Sequence, residues 1–212
     1  MKMKRVTKFT AWVFCLLAAA VPMSATAKDE PTAVLAALPE KAGMFESDGE
    51  VQTFEEHGLG ASRLYRVPGG TWITLYLYDL DTQVIRNGVE DQTIKDACKQ
   101  AMGDIREMER QGHYADVKMA GENKVTLKLP SQRKLEFLNV TYSLTFVKQG
   151  ADGEDVKLVS QLFVTGLRDH IFKIRVSSPE GSNAVSSEET EAALKLLMDA
   201  VLAAPKKELP AD

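Results

Sequence analysis

The chain holds 212 residues, with 44% hydrophobic and 26% charged side chains and only 2 cysteines. That is the composition of one globular domain, two at most, and it excludes a collagen-like, disulfide-stapled or multi-span membrane protein. A net charge of -4 excludes the strongly basic surface that grips a nucleic-acid backbone, so no nucleic-acid partner is expected.

The first element is an export signal, expected over residues 1–27. Lys2, Lys4, Arg5 and Lys8 form a positive n-region, Ala11 to Val21 is an uncharged apolar stretch, and Ala25-Thr26-Ala27 is a small-x-small site. Those parts in that order read as a secretory signal peptide with cleavage after Ala27. The apolar stretch is about half the roughly 20 residues a spanning helix needs, so no stable membrane span is expected after cleavage. Cys15 follows Phe14 rather than a small residue, which argues against lipidation. Cleavage removes four lysines and arginines and no acidic residue, taking the charge from -4 to about -8. It leaves Cys98 as a lone thiol, so no internal disulfide can form. The short basic n-region and the Ala-x-Ala site point to a Gram-negative periplasm.

Residues 28–50 carry Pro31, Pro39, Gly43 and Gly49, and read as an entry arm whose Ala33 to Leu38 run forms a short helix ending at Pro39. A single domain is expected over 51–204. Its first strands flank the turn Pro68-Gly69-Gly70. In Thr71 to Tyr78, alternation puts Ile73, Leu75 and Leu77 on one face and Trp72, Thr74, Tyr76 and Tyr78 on the other. Both rows are largely apolar, which predicts a strand covered on both sides.

Residues 90–111 switch to helical spacing, with Ile94, Ala97, Cys98, Ala101, Met102, Ile105 and Met108 on one stripe and Gly112 closing the helix. A hairpin is then expected from Val117 to Ala120 and Lys124 to Leu129, turning at Gly121-Glu122-Asn123. Leu138, Val140, Tyr142, Leu144 and Phe146 alternate as a long strand, and residues 149–154 form a Gly- and Asp-rich loop. A second hairpin joins Val156–Thr165 to Ile171–Ser177, with Phe172, Ile174 and Val176 facing one way and Lys173 and Arg175 the other. After the loop at 179–183, Ser186 with Glu189 is a capping-box pattern. It opens a helix at about 187–203 expected to bury Ala193, Leu196, Leu197, Ala200 and Val201, and residues 205–212 form a frayed tail. The order predicts an α+β fold, a mostly antiparallel sheet with a central and a C-terminal helix packed on it.

The Tyr65 to Tyr78 hairpin, the long Phe137 to Val147 strand, the Ile171 to Ser177 strand and the closing helix together resemble the PsbP-like α/β/α sandwich proteins. The likeness lies in the order of elements, with no functional motif matched. It implies a non-catalytic accessory protein and assigns no residue a role.

Little in the sequence points to catalytic chemistry. His57, His113 and His170 lack ligand neighbours at helical or strand spacing, so no metal or cofactor site is expected. Cys98 lies on the apolar stripe of its helix and reads as core. There is no G-x-S-x-G elbow and no phosphate loop. Asp79, Asp81, Glu90 and Asp91 form an acidic loop without EF-hand spacing. Two small basic rows, Lys124-Thr126-Lys128 and Lys173-Arg175, would attract an anion only if they were neighbours.

One feature stands above background, the aromatic row Trp72, Tyr76 and Tyr78 with Tyr65 on the preceding strand. Trp and Tyr combine an apolar body with a polar tip, which suits a binding platform, and the same row could equally be core under a helix. The expectation is an exported periplasmic binding or accessory protein whose partner is an envelope protein or a small ligand. The competing expectation is an envelope hydrolase with a site assembled around His113 and His170.

Overall fold

The computed structural model describes residues 29–54, 60–80, 84–148, 154–182 and 185–205. The expected signal segment, His57, Asp81, most of the 149–154 loop, Asn183 and the tail beyond Pro205 lie outside the described residues.

The expected α+β fold is present. All strand pairs are antiparallel and join into one 9-stranded sheet. The segment read as an entry arm supplies α1 (Pro31–Ala36), which starts on Pro31, then a hairpin of β1 (Lys41–Ala42) and β2 (Phe45–Ser47). Ala42 faces Phe45 across the Gly43-Met44 turn, where Gly43 takes φ +62°. β3 (Gln52–Thr53) and β2 both pair with β4 (Ala61–Arg66), and β4 turns through Pro68-Gly69-Gly70 into β5 (Trp72–Tyr78).

After β5 comes α2 (Gln92–Arg110), whose N-terminus is capped by the Asp91 carboxylate accepting from the Thr93 N–H at 2.9 Å. The chain then re-enters the sheet at its far edge and meanders inward. The strands are β6 (Tyr114–Lys128), β7 (Lys134–Phe146), β8 (Val156–Leu167) and β9 (His170–Pro179), and β9 closes against β5. α3 (Ser187–Ala203) ends the described fold, with the Ser186 and Glu189 capping box in place.

The sheet is apolar on both faces. Ile73, Leu75, Leu77, Phe137, Phe172 and Ile174 bury one side under α1 and α3. Ile94, Ala97, Cys98, Ala101 and Ile105 of α2 cover Tyr78, Val140, Tyr142, Leu162 and Ile171 on the other. The alternation read along β5 is thus correct in both rows.

Two local expectations fail. Gly121-Glu122-Asn123 is not a turn: β6 runs 15 residues through it, because β7 offers a partner along its whole length. The weak β-formers are absorbed as register shifts between Ala115 and Lys118 and between Met119 and Gly121. In α3 the buried stripe is Ala193, Leu194, Leu197, Met198 and Val201, leaving Leu196 45% exposed. Ala193, Leu197 and Val201 form an i, i+4 row whose second flank is Leu194 and Met198, so Leu196 turns outward.

One close approach fixes the end of β8. Gly88 and Gly166 exchange both backbone hydrogen bonds at 2.9 Å, and a methyl on Gly166 would lie 1.9 Å from the Arg86 carbonyl oxygen. Gly166→Ala is expected to destabilise by about 1–3 kcal/mol, read as a lower urea midpoint with an unchanged slope.

Candidate functional site

The β5–β9 pairing builds the site. Tyr76 lies opposite Lys173 and Tyr78 opposite Ile171, so Tyr76, Tyr78 and Lys173 point to the α2 face at one end of the two strands. The Lys173 ammonium stands 4.3 Å from the Tyr76 ring centre and 5.6 Å from that of Tyr78. Both distances are within cation–π range. These side chains line a cavity of about 210 Å³, walled by Phe54, Leu80 and Ala101, with Gln100 and Asp104 of α2 on its polar side. Ala101, a small residue on the α2 stripe, lines the cavity and leaves space a larger side chain would fill.

Electrostatically the cavity is divided. Burial pushes the Lys173 amine below the usual lysine range, Asp104 opposes that shift, and the Arg175 charge adds to it. Burial raises the Tyr76 and Tyr78 phenols, and Asp104 raises Tyr78 further. Both tyrosines are therefore neutral rings and hydroxyl groups at physiological pH, suited to contact rather than proton transfer. Among the described residues neither Lys173 nor Asp104 has a partner at ion-pair distance, although each lies in the other's field, so the cavity presents one charge of each sign.

The aromatic row is divided by the fold. Tyr76 and Tyr78 reach the cavity. Trp72 packs at the edge of the same core, roughly 13 Å from Tyr76 at the rise of an extended strand. Tyr65 is opposite Ile73, so it belongs to the other face, where it is fully buried and donates to the Pro39 carbonyl at 2.8 Å. The half-buried Trp72 and fully buried Tyr65 thus do not join a platform with Tyr76 and Tyr78. Burial lifts the Tyr65 phenol from 10.0 to about 12. Between those two values the folded chain holds a proton that the unfolded chain has lost. The stabilisation linked to it is complete below pH 10.0 and drains as pH climbs to about 12. An alkaline titration followed by tyrosinate absorbance is expected to show phenols that ionise only as the fold opens.

His113 and His170 do not meet. His113 precedes Tyr114, which pairs with Phe146 beside Val156 at the start of β8, whereas His170 pairs with Leu167 at its end. The 12-residue β8 holds them roughly 35 Å apart. His170 is buried, its Nδ1 2.7 Å from the Arg168 carbonyl. Among the described residues no three His, Cys, Asp or Glu side chains converge as metal ligands. Asp91 caps α2 and Glu90 pairs with Lys95 and Lys124, so these carboxylates have structural tasks. The two basic rows are separated by β7 and β8. Cys98 is buried under α2, and burial pushes its thiol up, away from nucleophilic ionisation.

Gln100 and Asp104 carry no signal in the sequence, and Lys173 stands out only as half of the Lys173-Arg175 basic row. Lys173 reads as the polar half of an alternating strand, and Gln100 and Asp104 as the solvated face of α2. The available clue is Tyr76 and Lys173 on the same face of neighbouring strands, and it needs the β5–β9 register to become visible. No protein-family model matches the chain, and no curated protein matches it by sequence.

Proposed function

We propose that this chain is an exported, non-catalytic binding protein of the bacterial envelope, acting in the periplasm, that takes a small ligand into the cavity between α2 and the β5–β9 strands. The observation that carries the reading is the Lys173 ammonium, lodged over two tyrosine rings and open to a cavity, with Asp104 acting on it across that cavity and no carboxylate at ion-pair distance among the described residues. A half-buried cation open to a cavity can still take a counter-charge from a ligand, and a cavity with a few convergent polar groups on apolar walls is the usual form of a ligand site. The basic n-region, apolar run and Ala25-Thr26-Ala27 support export. The PsbP-like resemblance adds an accessory role to the same reading. Neutral tyrosines and a suppressed thiol favour binding over catalysis.

The test has two arms. Expression of the full chain in a Gram-negative host should yield a periplasmic product lacking residues 1–27 by intact mass. A fragment library screened by NMR against that product should shift the amides around Tyr76, Ala101 and Lys173, and Lys173→Met should abolish the shifts. A product retained in the cytosol overturns the export half, and hits that bind Lys173→Met equally well overturn the site.

A further inference from the structure

The charges lining the cavity specify more than an anion. Lys173 enters from β9 on the sheet side and Asp104 from α2 on the helix side; each lies in the other's field, but no ion pair joins them among the described residues. Burial weakens the screening of Lys173, whereas Asp104 stands exposed at the rim. A ligand with a single negative charge would satisfy the lysine and meet the aspartate's field. A ligand with a single positive charge would satisfy the aspartate and meet the lysine's. Only a molecule bearing both charges, separated by a short distance, meets each with its opposite.

The remaining surface fixes the rest of the molecule. Tyr78, Leu80 and Phe54 offer an apolar wall, and Gln100, one helical turn before Asp104, can both donate and accept beside the charged groups. The volume of about 210 Å³ equals that of roughly seven water molecules at about 30 Å³ each, which limits the enclosed part to a small molecule.

We propose that the cavity binds a small zwitterion with an apolar body, of the α-amino-acid class. Its carboxylate lies on the Lys173 ammonium, its ammonium faces the Asp104 carboxylate, and its side chain lies along Tyr78, Leu80 and Phe54. This rests on the binding reading above and adds the ligand class to it. The contact to Asp104 distinguishes it from simple anion capture, because a carboxylate at the rim would penalise an anion. Both tyrosines stay neutral, so neither competes for the ligand's charges.

The test uses the signal-cleaved protein and three probes with one body: phenylalanine, phenylacetate and phenethylamine. Affinities are read from NMR titration of the cavity amides. Phenylalanine is expected to bind at least tenfold tighter than either singly charged probe. A charge-assisted contact supplies that factor, since tenfold corresponds to about 1.4 kcal/mol. Asp104→Asn, an exposed change that leaves the fold intact, is expected to erase the advantage over phenylacetate. Lys173→Met is expected to erase the advantage over phenethylamine. Phenylacetate or phenethylamine binding as well as phenylalanine, or phenylalanine affinity indifferent to Asp104→Asn, overturns the zwitterion assignment while leaving the cavity a binding site. If all three probes and the fragment library leave the cavity amides unmoved, both proposals fall.

Discussion

Replacing Arg168 with methionine is expected to destabilise the fold by about 3–5 kcal/mol, enough to lower Tm by roughly 10 °C. Its guanidinium is 6% exposed and pairs with Asp29, itself 9% exposed, at 2.7 Å. It also donates to the carbonyl of Val201 in the last turn of α3 at 3.0 Å, and to those of Ala204 and Pro205 just beyond it at 2.6 and 2.9 Å. One side chain thus satisfies helix-end carbonyls that lack partners within the helix, and places a positive charge where the helix dipole favours it. Methionine fills comparable volume but removes the guanidinium from Asp29 and the donors from the three carbonyls. Arg168 and Asp169 take φ +56° and +60° in the two-residue β8–β9 turn, a conformation that costs a non-glycine residue roughly 1 kcal/mol. Methionine inherits that cost, so the substitution isolates the side-chain contacts. Asp29→Asn leaves the carbonyl contacts in place and is expected to lose less. Thermal unfolding of the two variants and their combination would give the coupling, and a loss below about 1 kcal/mol for Arg168→Met would contradict the anchoring role.

Arg168 also shows why the sequence yields a fold more readily than a site. Its segment is legible as a hairpin because apolar alternation on both sides brackets Gly166 to His170. Both long helices, the β4–β5 hairpin and the split of β5 into two rows are legible for the same reason. Periodicity is local, and burial enforces it. What escapes is whatever depends on which strands become neighbours. Tyr65 and Tyr76 look like members of one aromatic group until the register places Tyr65 opposite Ile73, on the other face. Lys173 looks like a solvated lysine until β9 closes against β5 and sets it over Tyr76. The failure at Gly121 has the opposite cause. Local turn chemistry favours a turn there, and the long pairing with β7 overrides it.

The same reasoning makes Arg63 the second large effect. It lies on β4 on the same face as Tyr65, is 4% exposed, and its Nη1 donates to the carbonyls of Leu35 at 2.9 Å and Leu38 at 2.8 Å. Nε donates to Ser47 Oγ at 3.1 Å, and the guanidinium lies 5.4 Å from the Tyr65 ring centre. Its ionic partner Glu40, 2.7 Å away, is 80% exposed. The two ends of that ion pair should therefore differ sharply in effect. Glu40→Gln removes an exposed charge and is expected to lose less than about 1 kcal/mol. Arg63→Met removes the guanidinium donor from the carbonyls of Leu35 and Leu38 around the end of α1 and is expected to lose about 3 kcal/mol or more. Arg63→Lys should fall between, because an ammonium cannot span the carbonyls and the serine as the planar fork does. The loss should also be local. Hydrogen exchange is expected to accelerate over residues 31–47, where α1, β1 and β2 are held to β4, while the amides of α2 stay protected. Uniform acceleration across both helices, or equal losses for Glu40→Gln and Arg63→Met, would show that the arginine does not anchor the N-terminal segment to the sheet.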